Sequence, residues 1–215
     1  MTKSIARLVS IPCEPVKLEG ELVVPEHAIR LVLFAHGGGS SRLSVHNHFL
    51  ASVLRRAEIG TFIFDLLTEQ DNVFDFDFLA QRLLLGTRYL RKSGKFREGP
   101  LGYFGASTGT PAALLASVLG GGISAIVSRG GAPDLAHRCL DRVTTPTLLI
   151  VGGQDIPVVV SNRKAYNILK CEKALEVVPG AGHHFDESGA LEKVGELAIK
   201  WFTRYFSKQL KSLSS

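Results

Sequence analysis

The pentapeptide Gly105-Ala106-Ser107-Thr108-Gly109 constrains the fold of this chain more than any other stretch, because of what flanks it. A short apolar run, Leu101-Gly102-Tyr103-Phe104, leads in, and Pro111-Ala112-Ala113-Leu114-Leu115-Ala116 leads out with helical character. Strand, Gly-x-Ser-x-Gly, helix is the context of a nucleophile elbow. Ser107 must then sit on a strained turn, and glycines on either side let neighbouring backbone approach where a Cβ would collide. The turn aims the hydroxyl outward and places the Thr108 amide at a helix start, where the dipole favours developing negative charge.

The rest of the chain alternates. Residues 5–11 and 16–24 are strand-like and separated by Pro12 and Pro15, which predicts an antiparallel edge hairpin. Residues 29–35 (Ile-Arg-Leu-Val-Leu-Phe-Ala) are almost unbroken in apolar character, as expected of a strand covered on both faces of a parallel sheet. A helix is predicted over 42–58, with Ser40 or Ser41 as its N-cap. A strand over 61–66 and a helix over 78–91 precede the elbow. After it come strands at 123–128, 146–151 and 174–178, a short helical piece around 133–139, and helices over 157–169 and 190–206. This cadence predicts an α/β fold, a mostly parallel doubly wound sheet flanked by helices, with residues 1–215 as a single domain.

Composition excludes several classes. Hydrophobic residues make up 45% and charged residues 21%, which is globular rather than disordered. A net charge of +5 suggests nucleic acid, but the 25 Lys and Arg are dispersed, and their densest groups lie along helical or terminal stretches as solvated faces. No uncharged run approaches the ~20 residues of a membrane helix, and the N-terminal stretch has no signal-peptide pattern. Three widely spaced cysteines, Cys13, Cys139 and Cys171, form no metal-like or redox-like pair. A cytoplasmic protein without nucleic-acid or membrane partners is expected.

A serine needs a base, and the base needs an orienting group. In an open α/β sheet those groups belong in loops following the strands. Asp155 follows the strand ending at Val151, and His183 follows the strand ending at Val178 behind Gly180-Ala181-Gly182. His184 is the rival base, and capping of the next helix is the competing role for Asp155. The loop His36-Gly37-Gly38-Gly39 can supply backbone donors, with Gly38 and Thr108 as the oxyanion hole. A phosphate-binding reading of that loop competes, but neither nucleotide-binding glycine pattern is present. His46 and His48, two apart on a helix, make no metal pair, and no metal or cofactor is expected.

The segments Phe34-Ala35-His36-Gly37-Gly38-Gly39-Ser40-Ser41-Arg42, Phe64-Asp65-Leu66-Leu67-Thr68, Gly105-Ala106-Ser107-Thr108-Gly109, Val127-Ser128-Arg129-Gly130-Gly131, Val151-Gly152-Gly153-Gln154-Asp155 and Gly180-Ala181-Gly182-His183 resemble the α/β-hydrolase superfamily. Within it the chain is similar to the dienelactone hydrolase-like group, including the hydrolase half of proteins fused to a phosphoribosyltransferase. The order Ser107, Asp155, His183 is the one this fold requires. Dienelactone hydrolases proper use a cysteine where Ser107 stands, which sets dienelactone itself apart as a substrate, and no phosphoribosyltransferase chemistry is expected of these residues.

The resemblance implies a serine esterase that cleaves a small soluble carboxylic ester or lactone through an acyl-enzyme. The stretch between Ser128 and Pro146 leaves room for one short helix, so a minimal fold with no lid domain and an open pocket are expected. Arg129 and Gly39 are candidate substrate contacts; for Arg129 a structural hydrogen bond to loop carbonyls competes. The same triad serves a thioesterase or peptidase, and the fold also serves non-catalytic ligand binding. Monomer and homodimer both remain open.

Overall fold

The computed structural model describes residues 3–36, 43–69, 71, 75–92, 94–120 and 122–213. Eight strands form one sheet in the order β1-β2-β4-β3-β5-β6-β7-β8. β1 (Ser4–Cys13) and β2 (Val16–Pro25) are antiparallel, and β2 also runs antiparallel to β4 (Gly60–Phe64). From β4 onward all pairs are parallel: β3 (Leu31–His36), β5 (Leu101–Ala106), β6 (Ala125–Arg129), β7 (Thr147–Gly152) and β8 (Lys173–Val178).

The apolar runs are continuous because both faces of the central strands are covered. α1 (Val45–Arg56) and α5 (Ala190–Leu213) lie on one face, where Phe34, Phe104, Val127 and Ile150 pack with Leu50, Leu54, Val194 and Phe202. α2 (Phe76–Lys92), α3 (Gly109–Gly120) and α4 (Ile156–Ile168) lie on the other, where Leu33, Tyr103, Ile126 and Leu149 meet Leu79, Leu83, Leu114 and Ala165. Adjacent residues of each strand thus serve opposite cores, as the two-residue repeat of a strand requires.

Several elements begin or end a few residues from expectation, and three departures have a visible cause or a different form. α1 is capped by Ser44, whose side chain accepts the Asn47 amide, rather than by Ser40 or Ser41, which lie outside the described residues. The helix predicted over 133–139 is replaced by two short 3-10 turns, Pro133–Ala136 and Leu140–Arg142, joined by backbone bonds three residues apart. α5 runs seven residues past Phe206, held there by Lys208 against Glu172 and by Gln209 against Ser124. Among the described residues, no helix is long and apolar enough to cross a membrane.

On the β3–β4 side, Arg82 of α2 is buried and donates to both carboxylate oxygens of Asp71 and to the Leu66 carbonyl, while its guanidinium sits 4.1 Å from the centre of the Phe78 ring. Burial alone pushes the Asp71 carboxyl up. The bonds from Arg82 and Thr68 outweigh it and hold the group below its ordinary value.

Candidate active site

The parallel strands end on a common edge, and the elbow stands there. Ser107 is in the left-handed region at φ +49°, which for a non-glycine residue costs about 1–3 kcal/mol and persists only where surrounding bonds over-determine it. Those bonds are present: the Ser107 amide donates to the Arg129 carbonyl at 3.2 Å, and its own carbonyl accepts from Thr110 at 3.2 Å and Ala132 at 3.3 Å. The glycines are needed for close approach. A Cβ on Gly109 would lie 2.0 Å from the Ala35 carbonyl oxygen, and one on Gly105 would lie 2.8 Å from the Thr110 Cα. Thr108 directly precedes Gly109, where α3 begins.

Asp155 precedes α4 at its cap position, but its side chain makes no capping bond. Its Oδ2 instead lies 2.6 Å from Nδ1 of His183. The two loops are zipped together to allow this: Gly153 donates to Val178 and Gln154 to Ala181, both at 2.9 Å, and a Cβ on Gly152 would come within 2.3 Å of the Gly182 carbonyl. The carboxylate is 15% exposed and the imidazole 38%, so the pair is anchored at its acid end and open at its base end. His184 is not paired with Asp155; its ring stands edge-on to that of His183, centroids 5.0 Å apart.

The ring of His183 also borders the turn after β6. A Cβ on Gly130 would be 3.1 Å from the His183 carbonyl oxygen and 3.8 Å from its Cε1. The preceding residue, Arg129, accepts the Ser107 amide, so His183 and the elbow both border the turn after β6. The Arg129 side chain is only 7% exposed. It donates from Nη1 to the His184 carbonyl at 3.2 Å, lies 5.9 Å from the Phe185 ring centre, and buries an Nε that has no hydrogen-bond partner. Burial draws its pKa below the ordinary value, and the charge of Asp186 partly offsets this.

Gly38 and Gly39, proposed for the oxyanion hole and substrate contact, lie outside the described residues. Two residues to which the sequence assigns no role at the site, His46 and Asp186, border it. Nε2 of His46 on α1 is 2.7 Å from Oδ1 of Asp186, and the His46 ring stacks at 18° on that of His184 with centroids 6.5 Å apart. His48 points elsewhere, 3.9 Å from Glu21. No spacing rule links positions 46 and 186; only the packing of α1 against the loop after β8 brings them together.

No family model matches the chain. A Mycobacterium tuberculosis protein named "Putative phosphoribosyl transferase" is 46% identical over 200 residues, covering 90% of this chain, which spans only 45% of that relative's length. The esterase Est1E from Butyrivibrio proteoclasticus shares the fold at a TM-score of 0.80 and 18% identity, over 95% of this chain and 99% of that one. Dienelactone hydrolase from Anabaena variabilis is 44% identical and superimposes with a TM-score of 0.89, over 94% of this chain and 98% of that one. Identity at that level across almost the whole of both chains shows that this chain belongs to the dienelactone hydrolase family of α/β-hydrolases, a group of ester-bond hydrolases.

Proposed function

We propose that the protein is a serine hydrolase that cleaves a small carboxylic ester or lactone in two acyl-transfer steps. The observation that carries this reading is the 2.6 Å contact between Asp155 Oδ2 and His183 Nδ1. With Nδ1 committed to the carboxylate, Nε2 is the nitrogen left to take the Ser107 proton. Ser107 Oγ attacks the carbonyl carbon, His183 accepts the hydroxyl proton, and Asp155 stabilises the resulting imidazolium. His183 returns the proton to the leaving oxygen. A water molecule then attacks the acyl-serine by the same relay, releasing the acid and restoring Ser107.

The amides of Thr108, just before α3, and of Gly38 are the proposed oxyanion hole. The connection from β6 to β7 contains only two short 3-10 turns, which favours an open pocket and a small substrate over a lidded one. The same proposal places the protein in the cytoplasm, in keeping with Cys13, Cys139 and Cys171 all being free thiols.

The test is to react the protein and its Ser107→Ala variant with a fluorophosphonate probe and to locate the adduct by peptide mass. Labelling of the wild type at Ser107 alone, together with hydrolysis of short esters or lactones that the variant lacks, is the expected result. A folded wild type that takes no label would favour a non-catalytic ligand-binding protein. A preference for thioesters or amides over oxygen esters would reassign the acyl class while keeping the triad.

A further inference from the structure

The loop that carries the base is under backbone strain. Phe185, two residues past His183, sits at φ +61° with its ring buried. Of the three non-glycine residues at positive φ among the described residues, two are Ser107 and Phe185, one in each half of the site. Such conformations persist only when their surroundings hold them. Besides the bonds from Gly153 and Gln154 and the contact of Asp155 with His183, two further sets of contacts hold this loop from outside.

From β6, Arg129 donates to the His184 carbonyl and faces Phe185, while its own carbonyl receives the Ser107 amide. From α1, His46 holds Asp186 at 2.7 Å and stacks on His184. Asp186 is also the acidic group whose charge acts on the buried guanidinium. A buried guanidinium with an unpartnered Nε is costly to keep as mere packing.

We propose that Arg129, Asp186 and His46 form a strap of positioning residues that fixes the His183 loop against the elbow on one side and against α1 on the other. The proposal rests on the triad reading above and extends it to residues that touch no substrate. The strap thus joins the elbow, by way of Arg129, to the loop after β8 and to α1. Because Asp186 is 66% exposed and His46 32%, their pairing adds little to folding stability. Its effect belongs in the placement of His183, and hence in kcat.

The experiment compares His46→Ala, His46→Gln, Asp186→Asn and Arg129→Gln with wild type on one neutral and one anionic ester of equal size. kcat, KM, thermal midpoint and the rate of fluorophosphonate labelling are measured for each. Misplacing a reacting group by 1 Å costs about 10²-fold in rate. His46→Ala and Asp186→Asn, which remove one tether of several, are expected to lower kcat and labelling rate about 5- to 10-fold, with KM and the melting midpoint unchanged. Gln places an N–H where Nε2 stood, so His46→Gln is expected to recover most of the rate. Arg129→Gln is expected to lower kcat on both esters alike.

Wild-type kcat in both His46→Ala and Asp186→Asn would overturn the strap, as would a loss that His46→Gln fails to recover. A rise in KM confined to the anionic ester in Arg129→Gln would overturn it in favour of a substrate-carboxylate site. Failure of the triad reading is separately visible, because wild type itself would then take no label at Ser107.

Discussion

Asp155→Asn tests the site at the contact on which the proposed chemistry turns. In the proposed reaction the carboxylate, 2.6 Å from Nδ1 of His183, would hold the proton there and stabilise the imidazolium formed as Ser107 attacks. Losing the charge-assisted part of that bond costs about 1.5–3 kcal/mol. At about 1.36 kcal/mol per decade this is roughly 10- to 150-fold in rate. The amide adds a second penalty. Its N–H group can face Nδ1, which drives the imidazole proton to Nε2, the nitrogen that must receive the serine proton. The combined loss then approaches ~10⁴-fold.

Stability should hardly follow. Asp155 makes no side-chain cap to α4, and its partner imidazole is 38% exposed, so less than about 1 kcal/mol is at stake. The expected outcome is a kcat about 10³- to 10⁴-fold lower, a KM within about threefold and a melting midpoint within about 4 °C, read from steady-state hydrolysis of a short ester and a thermal melt. A His183→Gln, Asp155→Asn double variant should be no slower than His183→Gln alone. A kcat within threefold of wild type, or a collapse of the melting midpoint alongside the activity, would refute the reasoning.

Two further predictions address the frame around the site. Gly109→Ala places a methyl where only 2.0 Å separates it from the Ala35 carbonyl oxygen, and the atoms it meets are all backbone, with no side chain to yield; a loss of about 2–3 kcal/mol, or roughly 4–12 °C in the melting midpoint, is expected, and an unchanged melt would contradict it. Asp71 has a depressed carboxyl pKa, so its pair with Arg82 stabilises the fold above the usual carboxylate range and ceases to as pH falls through the depressed value. Asp71→Asn should therefore be about 2 kcal/mol less stable than wild type at neutral pH, with the gap in urea midpoints narrowing in acid; a gap independent of pH would exclude this origin.

Ser107, Asp155 and His183 are legible in the sequence as candidates because each sits at a local junction that leaves a local mark. A glycine-framed serine between apolar strand and helix, and a carboxylate and an imidazole each just past an apolar strand, need no knowledge of tertiary contacts to find. The strand–helix alternation was legible for a similar reason: strands buried on both faces must be apolar at every position, and this one-dimensional pattern survives in the chain. Local chemistry also misplaced some boundaries. Ser44 competes with two nearby serines for the same cap, and the end of α5 depends on Glu172 and Ser124, which belong to distant segments.

What only the tertiary structure decided is which side chains meet across the sheet edge. Asp155 had two roles open to it, helix cap or partner of a histidine, and the close passage of Gly152 beside Gly182 put its carboxylate on His183. Arg129 was a candidate substrate contact by position, and its burial turned the guanidinium toward the His184 carbonyl. His46 carried no signal of its own, since its partner lies 140 residues away in a loop that the sheet order alone brings beside α1. Periodicity and turn chemistry are properties of neighbours along the chain, whereas pairing across loops depends on how the strands are ordered and how closely their ends pack.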